Sequence, residues 1–143
     1  GCSVEMKKYL VNKARSFIYS TGLPPASAAA AIASLDIIGK EKNFGKELLD
    51  KAALFRSMLI ARGIDIPESP SQILQIPVGE NDIAVKFSEE LWNQSLLATA
   101  IRPPTVPKGT ARLRLSVSLA HSEDDLSSAA VTIATAAAKM GIL

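Results

Sequence analysis

The chain has 143 residues, of which 48% are hydrophobic and 21% charged, and its formal net charge is +2. This length suits one domain or part of a larger protein, and the composition is typical of a globular chain. The small net charge and the aromatic content of 5% argue against a base-stacking nucleic-acid surface, and one cysteine with one histidine leaves neither a disulfide nor a zinc cluster.

Helical spacing and chain-breaking residues divide the first part of the chain. Residues 4–15 predict a helix, and the segment 16–25 ends it. Within that segment, three residues favour extended backbone: Phe17, Ile18 and Tyr19. A proline pair can open the next helix, which we predict from Ala26 to about Lys40. Because this helix is apolar nearly all round, we expect it to be buried.

The clearest amphipathic helix is predicted over residues 44–62. Its expected inner face consists of Leu48, Ala52, Phe55 and Leu59. Gly63 is placed to end this helix. A strand is predicted over residues 72–78, with a turn at Gly79. Residues 81–93 then predict a helix whose expected inner face consists of Ile83, Phe87 and Leu91.

Two further strands are predicted over residues 96–101 and 111–119. The last helix is predicted to follow Ser122 as its N-cap, with Asp125 as capping-box partner, and to run to about Met140. Its expected inner face consists of Leu126, Ala130, Ile133 and Ala137.

The predicted order is helices first, then strand–helix–strand–strand–helix. This order predicts the α/β class, as an α+β sandwich in which a small three-stranded sheet packs with helices. Residues 1–43 fit this unit poorly, because their apolar helix has no evident partner layer within the chain. We therefore expect two parts, residues 1–43 and residues 44–143.

The predicted third strand carries Arg112 and Arg114 at alternate positions, so both side chains share one face, about 7 Å apart along the strand. Arg102 lies in the proline-stiffened loop before this strand. Guanidinium groups fixed in this way indicate a site for a carboxylate or phosphate. A solvated strand face with ordinary salt bridges explains the same pattern, and the pattern alone does not separate the two interpretations.

The sequence contains no G-x-G-x-x-G, no Walker loop and no G-x-S-x-G motif. The one histidine, His121, stands between the third strand and the last helix, where we expect it to hydrogen-bond the backbone and not to act in catalysis. No acid–base pair stands out. From its residues alone, the chain is predicted to bind an anion, as a non-catalytic anion- or protein-binding α/β module would.

The apolar stretches are too short to cross a bilayer, and no leader with a cleavage site is recognisable. We therefore expect a cytoplasmic protein without nucleic acid, membrane or metal as a partner. The chain begins with Gly1 and not with Met, so we also expect a missing upstream part, in which a targeting segment could lie.

Two blocks of sequence resemble a known family. They are A-R-S-F-I-Y-S-T-G-L-P-P-A at 14–26 and A-I-R-P-P-T-V-P-K-G-T-A-R-L-R-L-S-V-S-L-A-H-S at 100–122. In order and spacing they resemble the C-terminal part of the α-oxoamine synthases, which are pyridoxal-phosphate enzymes of the fold type I, aminotransferase-like class. These enzymes condense an amino acid with an acyl-CoA and release carbon dioxide.

The string A-I-R-P-P-T-V-P is most similar to the biotin-pathway branch of this family. That branch joins L-alanine to pimeloyl-CoA, or to pimeloyl carrier protein, and forms 8-amino-7-oxononanoate. Sister synthases, such as glycine C-acetyltransferase, are the alternative within the family. The resemblance implies that residues 1–43 are the end of the large domain with an interdomain helix, and that residues 44–143 are the C-terminal small domain of a homodimer.

The resemblance also implies roles for five residues. Arg114 matches the residue that holds the carboxylate of the amino acid, and Thr105 matches a loop residue that lines the substrate site. Arg102 is a candidate for contacting the acyl substrate. Ser20 and Thr21 match the hydroxyl pair that reaches the cofactor phosphate of the other subunit, and of the two we prefer Thr21.

The family's Schiff-base lysine, ring-stacking histidine and pyridine-pairing aspartate have no counterpart in this chain. Lys7 and Lys8 fall after the position expected for the lysine. The chain alone is therefore expected to have no catalytic residue and no activity, and pyridoxal phosphate is expected only in the intact enzyme. Without a covering domain, the apolar helix at 26–38 is expected to drive self-association or to be covered by another chain.

Overall fold

The computed structural model describes residues 1–143 and divides them into two units, Gly1–Lys42 and Asn43–Leu143. The first unit contains three helices, α1 (Val4–Lys13), α2 (Arg15–Ile18) and α3 (Pro25–Lys40). None of the residues in these helices is buried. The roles predicted for the two parts of the chain, as the end of a large domain and as a small domain, stay predictions.

The segment 15–18 is helical, so the extended backbone predicted for Phe17 and Ile18 is wrong. The amides of these two residues both donate to the carbonyl of Ala14, at 2.9 and 3.0 Å. Ala14 itself is extended (φ −75°, ψ 107°) and separates α1 from α2, so the first predicted helix ends two residues early. The β propensity of a residue reflects how well its side chain packs within a sheet. Because these residues belong to no sheet, local turn hydrogen bonds determine their conformation instead.

The third helix has nearly the predicted bounds, since Pro25 occupies its first turn. Its predicted burial is wrong for this chain. Ile32, Leu35 and Ile38 are 61%, 68% and 60% exposed, and no other helix of the first unit covers them. The exposure agrees with the observation from sequence that this helix has no evident partner layer within the chain.

The second unit contains three helices and three strands. The helices are α4 (Phe44–Ile60), α5 (Asn81–Asn93) and α6 (Glu123–Lys139), and the strands are β1 (Ile73–Gly79), β2 (Thr99–Ile101) and β3 (Ala111–Ser116). Both neighbours of β3 are antiparallel to it, and the strand order is β1-β3-β2. The predicted fold class, a small three-stranded sheet packed with helices, is confirmed. No helix of the structure combines the length and apolar character that crossing a membrane requires.

The hydrophobic core of the second unit lies between one face of the sheet and the inner faces of the helices. Its largest fully buried side chains are Phe87, Leu59, Ile66, Ile76, Leu91, Leu113 and Ile133. The inner faces predicted for α4 and α6 are confirmed, with Leu48 half-buried at the edge of the cluster.

One predicted core position, Ile83, is wrong. Its side chain is 39% exposed, whereas Ala84 is fully buried. At about 100° per residue, positions 84, 87 and 91 span a narrower arc of the helix than positions 83, 87 and 91 do. The smaller side chain therefore faces the core beside Phe87 and Leu91.

The ends of these helices use left-handed residues. Gly63 has φ +88°, its amide donates to Ile60 at 2.9 Å, and the amide of Ile64 donates to Leu59 at 3.1 Å. This pair of hydrogen bonds is a Schellman motif, so the predicted helix stop at Gly63 is confirmed. The same motif ends α5 with Ser95 (φ 62°), where the amide of Leu96 donates to Leu91 at 2.9 Å. This helix ending is why β2 begins at Thr99 and not at the predicted residue 96.

Candidate functional site

The central strand presents its arginines away from the core. Buried Leu113 and Leu115 alternate with Arg112 and Arg114 along β3, so the two arginines share the outer face as predicted. Residue register places Arg114 between Gln75 of β1 and Thr99 of β2. Because β3 has a strand on each side, the sheet fixes the backbone from which both arginines project.

The two arginines differ in their partners. The guanidinium of Arg112 donates to Oε1 of Gln75 at 2.7 Å and to the carbonyl of Thr110 at 3.1 Å, so it links β3 to β1. The side chain of Arg114 is exposed and makes no hydrogen bond or ion pair. The guanidinium fork of Arg114 is thus free for a carboxylate, which it can bind with two parallel hydrogen bonds.

Arg114 lies on the wall of a cleft within the second unit, with a volume of about 750 Å³. We call this feature the Arg114 cleft. Its polar lining includes Thr99, Ser116, His121, Asp125, Ser128 and Thr132. Its apolar lining includes Leu96, Leu97, Leu115, Val117, Leu126 and Ala129. A volume of this size is within the range of small-molecule sites.

Two side chains hold the connection from β3 to α6 at the edge of this cleft. Nδ1 of His121 accepts the amide of Ser118 at 3.2 Å, so a neutral ring carries its proton on Nε2. Lys51 of α4 donates to the carbonyls of His121 and Leu119. The backbone hydrogen bond expected for His121 is therefore present.

The first turn of α6 completes the same edge. The hydroxyl of Ser122 accepts the amide of Asp125 at 3.1 Å, and the carboxylate of Asp125 accepts the amide of Ser122 at 2.8 Å. These bonds form the capping box that the sequence predicted. Hydrogen bonding to the side chain and the backbone of Ser122 holds the pKa of Asp125 below its usual value, so the cleft carries a carboxylate as well as a guanidinium.

The two site residues predicted in the proline loop lie outside the Arg114 cleft. Arg102 and Thr105 are both exposed, and the carbonyl of Arg102 accepts the amide of Thr105 at 3.0 Å. The side chains of these two residues make no hydrogen bond, so both are free for a ligand. They follow β2 at the end opposite to Thr99, while Thr99 pairs with Arg114. The structure therefore places Arg102 and Arg114 towards opposite ends of one short strand.

The predicted phosphate-binding pair lies in the first unit, between α2 and α3. The hydroxyl of Ser20 donates to the carbonyl of Phe17 at 3.0 Å, whereas the exposed hydroxyl of Thr21 has no partner. A free hydroxyl can donate to a phosphate oxygen. The donor chemistry of Thr21 therefore fits the phosphate of pyridoxal phosphate. No group of three His, Cys, Asp or Glu residues in the chain could hold a metal ion.

Sequence reasoning found the arginine face but missed the apolar side of the cleft. The sequence predicts a strand at Leu97, yet this residue lies in a loop with 74% of its side chain exposed. The adjacent apolar pair Leu96-Leu97, directly after a predicted helix, was the available signal. Lys51 was also missed as a contact of the β3–α6 connection, because its partners are 68 and 70 residues away in sequence.

A family model described as aminotransferase class I and II matches residues 1–133. The chain belongs to the aminotransferase class I and II family. A putative 8-amino-7-oxononanoate synthase of Acetivibrio thermocellus is 43% identical over 135 residues, which cover 94% of this chain and 35% of that protein. An 8-amino-7-oxononanoate synthase of Citrifermentans bemidjiense is 43% identical over 147 residues, covering 100% of this chain and 37% of the relative.

The fold is similar to that of solved enzymes. A serine palmitoyltransferase from S. paucimobilis, with bound PLP–myriocin aldimine, matches with a TM-score of 0.83 and 24% identity, over 90% of this chain and 33% of that one. At this identity the likeness shows the fold. The family resemblance expected from the two sequence blocks is confirmed, and the chain spans about a third of the length of the curated relatives it matches.

Proposed function

We propose that this chain is the C-terminal part of a pyridoxal-phosphate-dependent acyltransferase of biotin biosynthesis. The intact enzyme condenses L-alanine with pimeloyl-CoA, or with pimeloyl carrier protein, to give 8-amino-7-oxononanoate, carbon dioxide and the free thiol. The observation that carries this proposal is the unpaired guanidinium of Arg114, which lies in a cleft. The relatives of the chain are named 8-amino-7-oxononanoate synthase. We further propose that the intact enzyme is a cytoplasmic homodimer.

Arg114 has the central role in this proposal, because it holds the carboxylate of the amino acid. A fixed carboxylate limits rotation of the substrate and keeps its α-carbon in register for bond formation. Arg112 keeps β3 and β1 aligned through Gln75 and so supports the position of Arg114. Arg102 and Thr105 are proposed to contact the acyl donor and the substrate from the proline loop.

The cofactor is proposed to be held in part by this chain. Thr21, and less directly Ser20, would donate hydroxyl hydrogen bonds to the phosphate of pyridoxal phosphate bound to the other subunit. When bound, pyridoxal phosphate supplies an electron sink for bond making and breaking at the amino-acid α-carbon. The Schiff-base lysine, the ring-stacking histidine and the pyridine-pairing aspartate that the family resemblance implies have no match in this chain. The chain by itself is therefore proposed to be inactive.

The assay of the intact enzyme tests this function directly. Purified full-length protein with pyridoxal phosphate is given alanine, glycine or serine in combination with pimeloyl-, acetyl- or palmitoyl-CoA. Turnover with alanine and pimeloyl-CoA as the best pair supports the proposal. A preference for glycine or serine with another acyl-CoA would assign a sister synthase, which the likeness to serine palmitoyltransferase keeps as the second candidate.

A substitution links this assay to the site. Arg114→Gln removes the charge and one branch of the guanidinium fork, and we expect KM for alanine to rise by about 10- to 100-fold, as for the loss of a charged hydrogen bond. Lys86→Gln, at an exposed cation on α5 outside the cleft, is the matched control and should leave this KM unchanged. If no amino acid and acyl-CoA pair gives turnover, the alternative of a non-catalytic anion- or protein-binding module is favoured.

We also propose that the chain self-associates through the apolar surface of α3. Four large side chains of this helix, Ile32, Leu35, Ile37 and Ile38, are each more than half exposed, and only two charged residues occur along its length. A second copy offers an equivalent uncharged surface. Light scattering of the 143-residue chain should show a dimer or larger species that Leu35→Lys disperses, whereas a monomer at high concentration would contradict the proposal.

A further inference from the structure

We propose that Lys51 is a positioning residue for the Arg114 cleft. Its ammonium holds the connection between β3 and α6, residues 117–122, against α4, and this connection forms one edge of the cleft. Lys51 itself does not line the cleft, so it acts on a bound ligand only through the residues that it holds. The inference rests on the proposed function for the identity of that ligand, an amino acid whose carboxylate Arg114 binds.

Two carbonyl groups of the connection depend on Lys51. The ammonium of this half-buried side chain donates to the carbonyl of Leu119 at 2.8 Å and also to the carbonyl of His121. No backbone amide donates to either oxygen. A partly buried acceptor that loses its donor costs more than the hydrogen bond itself contributes, because the oxygen stays shielded from water. We therefore expect the connection to move when this ammonium is removed.

The other hydrogen bonds of residues 118–121 are local and attach them to no other element. The amide of Ser118 donates to Nδ1 of His121 at 3.2 Å, and the amide of His121 donates to the carbonyl of Ser118 at 3.3 Å. These two bonds close a turn and set the tautomer of the ring. Lys51 alone supplies hydrogen bonds from this turn to another element, and it lies 70 residues before His121 in sequence.

The sheet fixes one wall of the cleft, and Lys51 fixes the edge formed by the connection. Arg114 stands on β3, which pairs on both sides, whereas His121 and Asp125 line the cleft from the connection and the first turn of α6. The pKa of Asp125 is lowered mainly by its hydrogen bonds with Ser122, and in addition by its proximity to His121 and Lys51. A movement of the connection would thus change the space and charge beside Arg114 while Arg114 keeps its place.

The first test measures the connection in the 143-residue chain, without substrate or cofactor. His121 is the only histidine, so the ¹⁵N signals of its ring are unambiguous. At about pH 8 we expect one tautomer, with Nδ1 unprotonated as the hydrogen bond from Ser118 requires. Lys51→Met removes the donors and keeps an apolar stem. The two tautomers should then mix, and the amide of Ser118 should exchange with solvent about three- to tenfold faster.

The second test measures the intact enzyme with alanine and pimeloyl-CoA. We expect Lys51→Met to raise KM for alanine by about three- to tenfold, the range for one ordinary hydrogen bond. KM for pimeloyl-CoA should not change, because the proline loop that is proposed to contact it lies at the opposite end of β2. Lys51→Arg keeps a cation with several donors and should restore most of the affinity for alanine. A role in stability alone would lower kcat through loss of active enzyme and would change neither KM.

Lys46→Met is the matched control. Lys46 lies on the same helix, is exposed, and pairs with Asp50 at 2.6 Å. It contacts neither the connection nor the cleft. The same change of side chain should therefore alter neither the ring signals of His121 nor KM for alanine. Far-UV circular dichroism of each variant checks that its helices are retained.

Two results would overturn the proposal. One is that Lys51→Met leaves the ring of His121 and the amide of Ser118 unchanged, and the other is that both KM values stay constant while kcat falls. Failure of the proposed function gives a different result, which is an intact protein that turns over no pair of amino acid and acyl-CoA. The ring and amide signals are measured without substrate, so they decide in that case too whether Lys51 holds the connection.

Discussion

The two units of this chain are built from similar helices and differ in what covers them. Helix α3 has 16 residues and α6 has 17, and both are rich in alanine. Five residues of α6 are buried, including Ala130, Ile133 and Ala137, whereas α3 buries none. The comparison shows that local sequence can form a helix in both units, while burial depends on a layer that other parts of the protein must supply.

The largest expected difference between the units concerns loss of an apolar side chain. Phe87→Ala removes a fully buried ring in the second unit and should lower the free energy of unfolding by about 3–5 kcal/mol. At a concentration where light scattering shows a monomer, Leu35→Ala in α3 should change it by less than about 0.5 kcal/mol, because its side chain is 68% exposed in the single chain. Urea denaturation followed by far-UV circular dichroism measures both. A large effect of Leu35→Ala would show that α3 is covered in solution.

Glycine substitution gives the next largest contrast. Gly63→Ala should destabilise the second unit by about 1–2 kcal/mol, because φ of +88° places a Cβ atom in the unfavourable left-handed region. Gly39→Ala in α3 meets no atom within 4 Å and should instead favour its helix by up to about 1 kcal/mol. Thermal unfolding of the two variants should therefore shift in opposite directions, and shifts of the same sign would contradict this account.

The N-caps offer a closer comparison, since both units use serine. Ser122→Ala removes the hydrogen bond that its hydroxyl accepts from the amide of Asp125 and should cost about 1 kcal/mol of stability. Ser3→Ala removes a single cap bond, to Met6, in a unit without buried residues. Fluorescence of Trp92, the only tryptophan, reports unfolding of the second unit and should not respond to Ser3→Ala.

The smallest expected effect is a dependence on pH at the same capping box. The pKa of Asp125 is lowered in the folded chain, so its ionised form contributes stability at neutral pH. That contribution is complete above the usual aspartate range and is lost as pH falls through the lowered pKa. Asp125→Asn should therefore reduce the difference between stability at pH 7 and at low pH. An identical pH profile for both proteins would show that the carboxylate has no such role.

Much of the second unit was predictable from sequence, because its helices carry their own start and stop signals. Ser122 with Asp125 and Gly63 mark helix ends by local hydrogen bonds that need no tertiary information. The predictions at Ile83 and at residues 96–98 were wrong for another reason. The position of Ile83 depends on which side of α5 faces the core, and residues 96–98 follow a left-handed serine, Ser95. Apolar spacing reveals neither of these features.

The candidate site was predictable only in part. The alternation in β3 was sufficient to place Arg112 and Arg114 on one face. It could not show that Arg112 is engaged by Gln75, because that contact follows from the register between two strands far apart in sequence. The Arg114 cleft was likewise invisible, since its lining comes from α4, α6, two strands and two loops.

The order β1-β3-β2 has a consequence for how selectivity could change in this family. The only strand with hydrogen-bonded neighbours on both sides carries Arg114, while residues 94–98 and 102–110 form the connections at either end of the three-residue strand β2. Insertions or exchanges in those connections can change the surface beside β3 without moving Arg114. A side chain on a central strand thereby keeps its place while the segments around it are free to diverge.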